Sequence, residues 1–204
     1  MDYLITGPAD AKHTFVFAHG AGGAMDTPFM NDVAAGLAER GIRVVRFEFP
    51  YMAARRAGKK KGGAPDRQPV LLETWTRVVE AHGGGPKLVI GGKSMGGRMA
   101  SMIADAVRAK GLVCMGYPFH PPGKPERLRT EHLKDLRTPA LIIQGTRDTF
   151  GGPEEVSGYE LSPRIRVEWI EGGDHSLFKT RQKDAARYER VIDLCARFVL
   201  RPEA

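Results

Sequence analysis

Cysteine is nearly absent from this chain: two residues in 204, Cys114 and Cys195, both inside apolar segments. A disulfide framework is thereby excluded, and the two thiols read as reduced core residues. Neither the histidines nor the cysteines fall at metal-ligand spacing, so no metal site is expected, and no cofactor. No apolar run approaches the roughly 20 residues that span a bilayer, and residues 1–8 lack the basic and apolar stretches of a secretory leader. Membrane insertion is therefore not expected, and a cytoplasmic setting is. Aromatic residues are sparse at 8%, and the 42% hydrophobic content carries no matching repeat, which excludes collagen, coiled coil and bulk disorder.

What remains is a globular chain of enzyme size. Its 204 residues suit one domain, expected to span 1–204, and long enough to bury about 70% of its unfolded surface. A net charge of +7 raises the question of nucleic acid. Most of that excess sits in 51–68, where Arg55, Arg56, Lys59, Lys60, Lys61 and Arg67 face the single acid Asp66. The rest of the chain is nearly neutral, and no aromatics interleave the cluster. Nucleic acid is accordingly not an expected partner.

Short runs rich in valine and isoleucine recur at 14–18, 42–47, 87–91, 112–116, 140–144 and 166–170, with a further edge strand over 3–5. Continuous apolar runs of this length suit strands covered on both faces. Between them the spacing predicts helices: Phe29 to Leu37, Leu71 to Val79, Met99 to Val107 and Tyr188 to Val199, each ending near a glycine or proline. Alternating strand and helix predicts an α/β fold, a three-layer α/β/α sandwich around a mostly parallel sheet. Ligands in such sheets bind beyond the carboxyl ends of the strands.

One strand-end loop there reads Gly91-Gly92-Lys93-Ser94-Met95-Gly96-Gly97-Arg98. Gly92, Ser94 and Gly96 form Gly-x-Ser-x-Gly between a strand and a helix, a sharp turn that exposes the serine oxygen. The competing phosphate-loop reading needs a glycine five residues before Gly92, where Lys87 stands. A nucleophilic serine needs a base, and the base an orienting acid. His175, in Gly172-Gly173-Asp174-His175 after the last strand, supplies the base. Asp148, in Gly145-Thr146-Arg147-Asp148 after the preceding strand, supplies the acid, in the chain order serine, acid, histidine. Asp174 and Glu171 are rival acids, although Asp174 would have to fold back on its neighbour's ring. An oxyanion hole requires two positioned amides. Met95, directly after the serine, offers one. The turn His19-Gly20-Ala21-Gly22-Gly23 offers the other, from Ala21 in preference to Gly22, with His19 holding the loop.

These motifs resemble the α/β-hydrolase superfamily over nearly the whole chain. More narrowly, Phe47-Glu48-Phe49-Pro50-Tyr51-Met52, Gly92-Lys93-Ser94-Met95-Gly96-Gly97-Arg98 and Gly116-Tyr117-Pro118-Phe119-His120-Pro121 are similar to a small bacterial family labelled dienelactone-hydrolase-related. Its eukaryotic relatives include testis-expressed proteins and a subunit of a chromatin acetyltransferase complex. The resemblance implies the triad Ser94, Asp148, His175 and a fold without an inserted lid. Dienelactone hydrolases proper carry cysteine where this chain has Ser94, so the label does not transfer a substrate.

Residues 117–139 are too few for a helical cap domain, so the pocket walls are expected from loops 50–69 and 117–130, with Gly22, Tyr51 and His120 as substrate-binding residues. The expected activity is hydrolysis of a small carboxylic ester or thioester through an acyl-enzyme. The basic stretch is either an attractor of anionic substrates or a solvated mobile loop. A non-catalytic scaffold on the same fold is the alternative, and oligomeric state is left open.

Overall fold

The computed structural model describes residues 1–59 and 61–203, so Lys60 of the basic cluster lies outside the described residues. Among these residues seven strands and six α-helices follow in the order β1 (Tyr3–Thr6), β2 (Thr14–Ala18), α1 (Pro28–Ala38), β3 (Arg43–Phe47), α2 (Pro50–Arg56), α3 (Gln68–Ala81), β4 (Leu88–Lys93), α4 (Met95–Ile103), β5 (Gly111–Met115), β6 (Ala140–Gly145), α5 (Pro153–Val156), β7 (Ile165–Ile170) and α6 (Ala185–Leu200). The sheet runs β1-β3-β2-β4-β5-β6-β7. Only β1 is antiparallel, pairing with β3, while β2 is flanked in parallel by β3 on one side and β4 on the other. The strand order therefore reverses at β2 and β4, the crevice where doubly wound sheets bind ligands.

The apolar runs occupy the middle of the sheet because helices cover both faces. On one face Val16, Ile90 and Ile142 pack with Trp75 and Val78 of α3 and Met99 and Ile103 of α4. On the other, Phe15, Phe17, Val113 and Leu141 meet Met30, Val33 and Leu37 of α1 and Tyr188, Ile192 and Phe198 of α6. Each fully buried side chain of this size contributes roughly 1.5–3 kcal/mol. Polar bonds fix the angles between layers: the Trp75 indole donates to the Gly96 carbonyl at 3.2 Å, tying α3 to the start of α4.

Two departures from the sequence reading concern 50–69. Its first part is helical, with Pro50 opening α2 and Tyr51 and Met52 buried. The Arg56 guanidinium bridges Glu48 (2.7 Å) and Asp26 (2.8 Å), so this cation is spent on internal pairs. The α4 helix also stops at Ile103, before Val107. Between β5 and β6 the described residues form a loop with one short 3₁₀ turn, Glu131–Leu133, and no cap helices.

The α1–α6 contact depends on Gly36, where a methyl group would run into the Tyr188 hydroxyl and lie 3.0 Å from Ile192 Cγ1. Gly36→Ala should therefore destabilise the protein by about 1–3 kcal/mol. Adding Tyr188→Phe should return part of that loss, since it removes the clashing oxygen. Urea unfolding of the single and double variants measures both, and an unchanged midpoint for Gly36→Ala would contradict the packing described.

Candidate active site

Strand β4 ends at Lys93 and helix α4 begins at Met95, leaving Ser94 alone to turn the chain. Its backbone sits at φ 51° and ψ −117°, in the left-handed half of the map, where an L-residue is strained. The glycines around it are required by contact. A Cβ on Gly92 would lie 2.6 Å from the Gly96 carbonyl carbon, and one on Gly96 would lie 2.5 Å from the His19 carbonyl oxygen. The Ser94 amide donates to Met115 O at 3.0 Å, anchoring the turn to β5.

The loops after β6 and β7 reach the same edge. His175 Nε2 lies 2.9 Å from Ser94 Oγ, and His175 Nδ1 lies 2.8 Å from Asp148 Oδ2. With Nδ1–H given to the carboxylate, Nε2 is left to accept from the serine hydroxyl. Asp148 is buried and also accepts from the Phe150 amide at 2.9 Å and from Gln144 Nε2 at 3.0 Å. Neither rival acid bonds to the ring. Asp174 is exposed and accepts from the Ser176 amide, and Glu171 is exposed, its carbonyl taking Arg187.

The loop after β2 passes beside the serine: a Cβ on Gly20 would lie 3.6 Å from Ser94 Cβ. Its peptides are held from behind. His19 is buried, bonds Gly20 O through Nδ1 at 2.7 Å and accepts the Phe49 amide on Nε2 at 3.2 Å. Burial lowers its pKa, which keeps the ring neutral in that bracing role. Tyr51 donates its hydroxyl to Ala21 O at 2.9 Å, and burial pushes this phenol up to about 12. Because N–H and C=O point oppositely in a trans peptide, pinning these two carbonyls turns the amides of Ala21 and Gly22 the other way. Among the described residues neither amide has an acceptor in the protein, nor does that of Met95 at the head of α4.

A cavity of about 760 Å³ opens here, lined by Ser94, His175 and the loop 20–24, with Phe29, Phe150 and Phe178 as apolar wall. Phe29 and Phe178 stack at 4.8 Å, and Phe150 stacks on the His175 ring at 4.1 Å. The expected walls are corrected by this arrangement: they come from 20–30 and 174–180, and no described residue of 50–69 or 117–130 lines the cavity. Gly22 is in the wall. Tyr51 is not, because its hydroxyl is used to hold the loop. His120 is also absent from the wall. It is buried, bonded to Pro121 O at 2.8 Å and 3.4 Å from Glu155 Oε2.

The sequence passed over Gln144 and Phe150, which hold and cover the acid and the ring. Gln144 accepts the Tyr117 amide at 2.7 Å and donates to Tyr117 O at 3.1 Å and Gly151 O at 3.2 Å, besides Asp148. Its position at the end of a strand headed for the acid loop was the available signal. No group of three or more potential metal ligands occurs among the described residues, and no helix among them is long and apolar enough to cross a membrane.

The sequence matches the family described as "Alpha/beta hydrolase domain" over residues 11–201. This chain belongs to the α/β-hydrolase family. Its fold is similar to that of an α/β serine hydrolase homologue from Coxiella burnetii (22% identity, TM-score 0.69, covering 96% of this chain and 89% of that one). It is also similar to Est1E from Butyrivibrio proteoclasticus, solved with ferulic acid (17%, TM-score 0.72, 98% and 94%), and to dienelactone hydrolase from Anabaena variabilis (17%, TM-score 0.73, 99% and 92%). At these identities the likeness is one of fold.

Gln144→Glu should remove a donor shared by three acceptors and place a carboxylate against Asp148. A loss of about 1–3 kcal/mol or more is expected in urea unfolding, whereas a variant as stable as wild type would contradict the network.

Proposed function

We propose that this α/β hydrolase is a serine hydrolase that cleaves small carboxylic esters or thioesters through an acyl-enzyme. The observation that carries the reading is the continuous hydrogen-bonded chain from Ser94 Oγ through His175 to buried Asp148, opening on an apolar cavity. In this reading His175 takes the hydroxyl proton as Ser94 attacks the acyl carbon, and the C–O or C–S bond to the leaving group breaks as His175 returns that proton to it. Water, activated by the same imidazole, then releases the acid. Asp148 fixes the tautomer and stabilises the imidazolium. The amides of Met95 and Ala21 receive the oxyanion, Met95 with the added field of the α4 N-terminus.

The acyl group occupies the cleft walled by Phe29, Phe150 and Phe178, with Gly22 on the side of the oxyanion loop. Est1E holds ferulic acid and a structural relative from Paleococcus ferrophilus is a monoacylglycerol lipase, so related folds accommodate aromatic and aliphatic acyl groups. The basic stretch at 55–67, outside the described wall, acts on an anionic ester only by long-range attraction, which salt screens.

Hydrolysis of p-nitrophenyl acetate by Ser94→Ala, His175→Ala and Asp148→Asn tests the reading. Each should lose about 10³-fold or more in kcat, and the double variants should lose little beyond the worst single, because the three act as one unit. Circular dichroism of Ser94→Ala should match wild type. Turnover by folded Ser94→Ala comparable to wild type would overturn the assignment.

A further inference from the structure

Lys93, directly before Ser94 in the serine turn, has no part in the reaction described above. Its side chain runs along the cavity rather than away from it, passing Gly20, whose missing Cβ would lie 3.7 Å from Lys93 Cγ. The ammonium ends against the main chain of the base: Nζ donates to His175 O at 2.6 Å. It also lies 5.8 Å from the centroid of the Phe29 ring. Gly116, at φ +64°, makes room for this contact, since a Cβ there would be 2.8 Å from both Lys93 Nζ and His175 O.

We propose that Lys93 is a positioning residue for the base, its ammonium tying the main chain of His175 to the strand end that carries Ser94. The inference rests on the reading of Ser94 as nucleophile. It gives the two reacting side chains a common anchor: the residue before the serine holds the carbonyl of the histidine. The loop from Glu171 is bonded to the acid loop at Thr146 and Arg147, but among the described residues its other hydrogen bond to the serine turn is the catalytic one, which must break and reform in each turnover.

The charge has a use beyond the bond. No carboxylate lies within ion-pair distance of Lys93 among the described residues, yet Asp148, after β6, and Asp174, after β7, both act on it electrostatically. From α1 it meets Phe29 and from the end of β5 Gly116, neither of them ionisable. The ammonium thus offsets acidic charge around the imidazole while donating a charge-assisted bond, about twice as strong as a neutral one. Burial outweighs those two carboxylates and lowers its pKa from 10.5 to about 8. The protonated form therefore prevails below about pH 8 and is lost as pH rises through that value.

The test is p-nitrophenyl acetate hydrolysis from pH 6 to 9.5 by wild type, Lys93→Met and Lys93→Arg, with fluorophosphonate inactivation rates alongside. Lys93→Met, which keeps the apolar stem, should lower kcat by about 10- to 100-fold, the size of effect expected when a reacting group is misplaced by an ångström or less. KM should change less than threefold, and the inactivation rate should fall in step with kcat. Wild type should decline several-fold above about pH 8. Lys93→Arg, which stays ionised, should recover activity and lack that decline. Lys93→Met with wild-type kcat and inactivation rate would overturn the proposal. If Lys93→Met does not fold, the other two profiles decide: a wild-type rate flat to pH 9.5, or a Lys93→Arg rate falling with it, would overturn it equally. Wild type that neither hydrolyses the ester nor labels at Ser94 would overturn the nucleophile reading itself, a result distinguishable from failure of the Lys93 role alone.

Discussion

Ser94 is held at φ 51° and ψ −117°, a conformation that costs a non-glycine residue on the order of 1–3 kcal/mol and persists only where the surroundings impose it. Those surroundings are three close approaches of main chain. Strand β2 lies against the turn at Ala18 and His19, α4 starts within contact of β4, and β5 takes the Ser94 amide. Each approach is possible because Gly92, Gly96 and Gly97 carry no Cβ. The parallel register of β2, β4 and β5 sets these distances, so the two buried cores that flatten helices onto the sheet also maintain the turn. Relaxing the serine to an ordinary helical or extended backbone would move its oxygen away from His175 and the Met95 amide away from the oxyanion position proposed for it.

Around that fixed point the site is divided between a rigid side and an open side. On the side of α3 and α4, His19 and Tyr51 hold the loop after β2, and Gln144 holds Asp148. Toward α1 and the loop after β7, the packing leaves an apolar cavity with Phe29 and Phe178 on its wall. On the proposed reading, substrate enters on one side of the serine while the other supplies orientation. Phe150 stacks on the imidazole, beside the buried Asp148 carboxylate.

The parts legible in the sequence were those with a local signature. Valine and isoleucine runs marked the strands, the period of three and four marked α1, α3 and α6, and glycines flanking a serine between strand and helix marked the turn. Asp148 and His175 could be found because strand order places both loops at one edge. The cavity wall was not legible in the same way. Which strand-end loops border it depends on how α1 and α2 sit over opposite faces, and residue spacing carries no such information. Tyr51 and His120 stand beside the right motifs, but one residue in a loop does not reveal which way its ring turns. The helix α2 is masked by its charge: Arg56 belongs to a basic run, and its pairing with Glu48, just before the helix, and with Asp26, thirty residues upstream, depends on the fold. Gln144 takes its meaning partly from Tyr117 in the loop after β5, and Lys93 from His175 in the loop after β7, partners which only the fold brings near.

On the proposed reading, the fold activates one serine among those of the chain. Intact-mass labelling with a fluorophosphonate tests it most directly, because such a reagent reacts with an activated serine and leaves an ordinary hydroxyl untouched. One adduct per wild-type molecule is expected, mapping to the peptide that contains Ser94, and none on folded Ser94→Ala or His175→Ala. Folded wild type that takes up no label, or a label that persists in Ser94→Ala, would contradict it and leave a scaffold role as the reading of this fold.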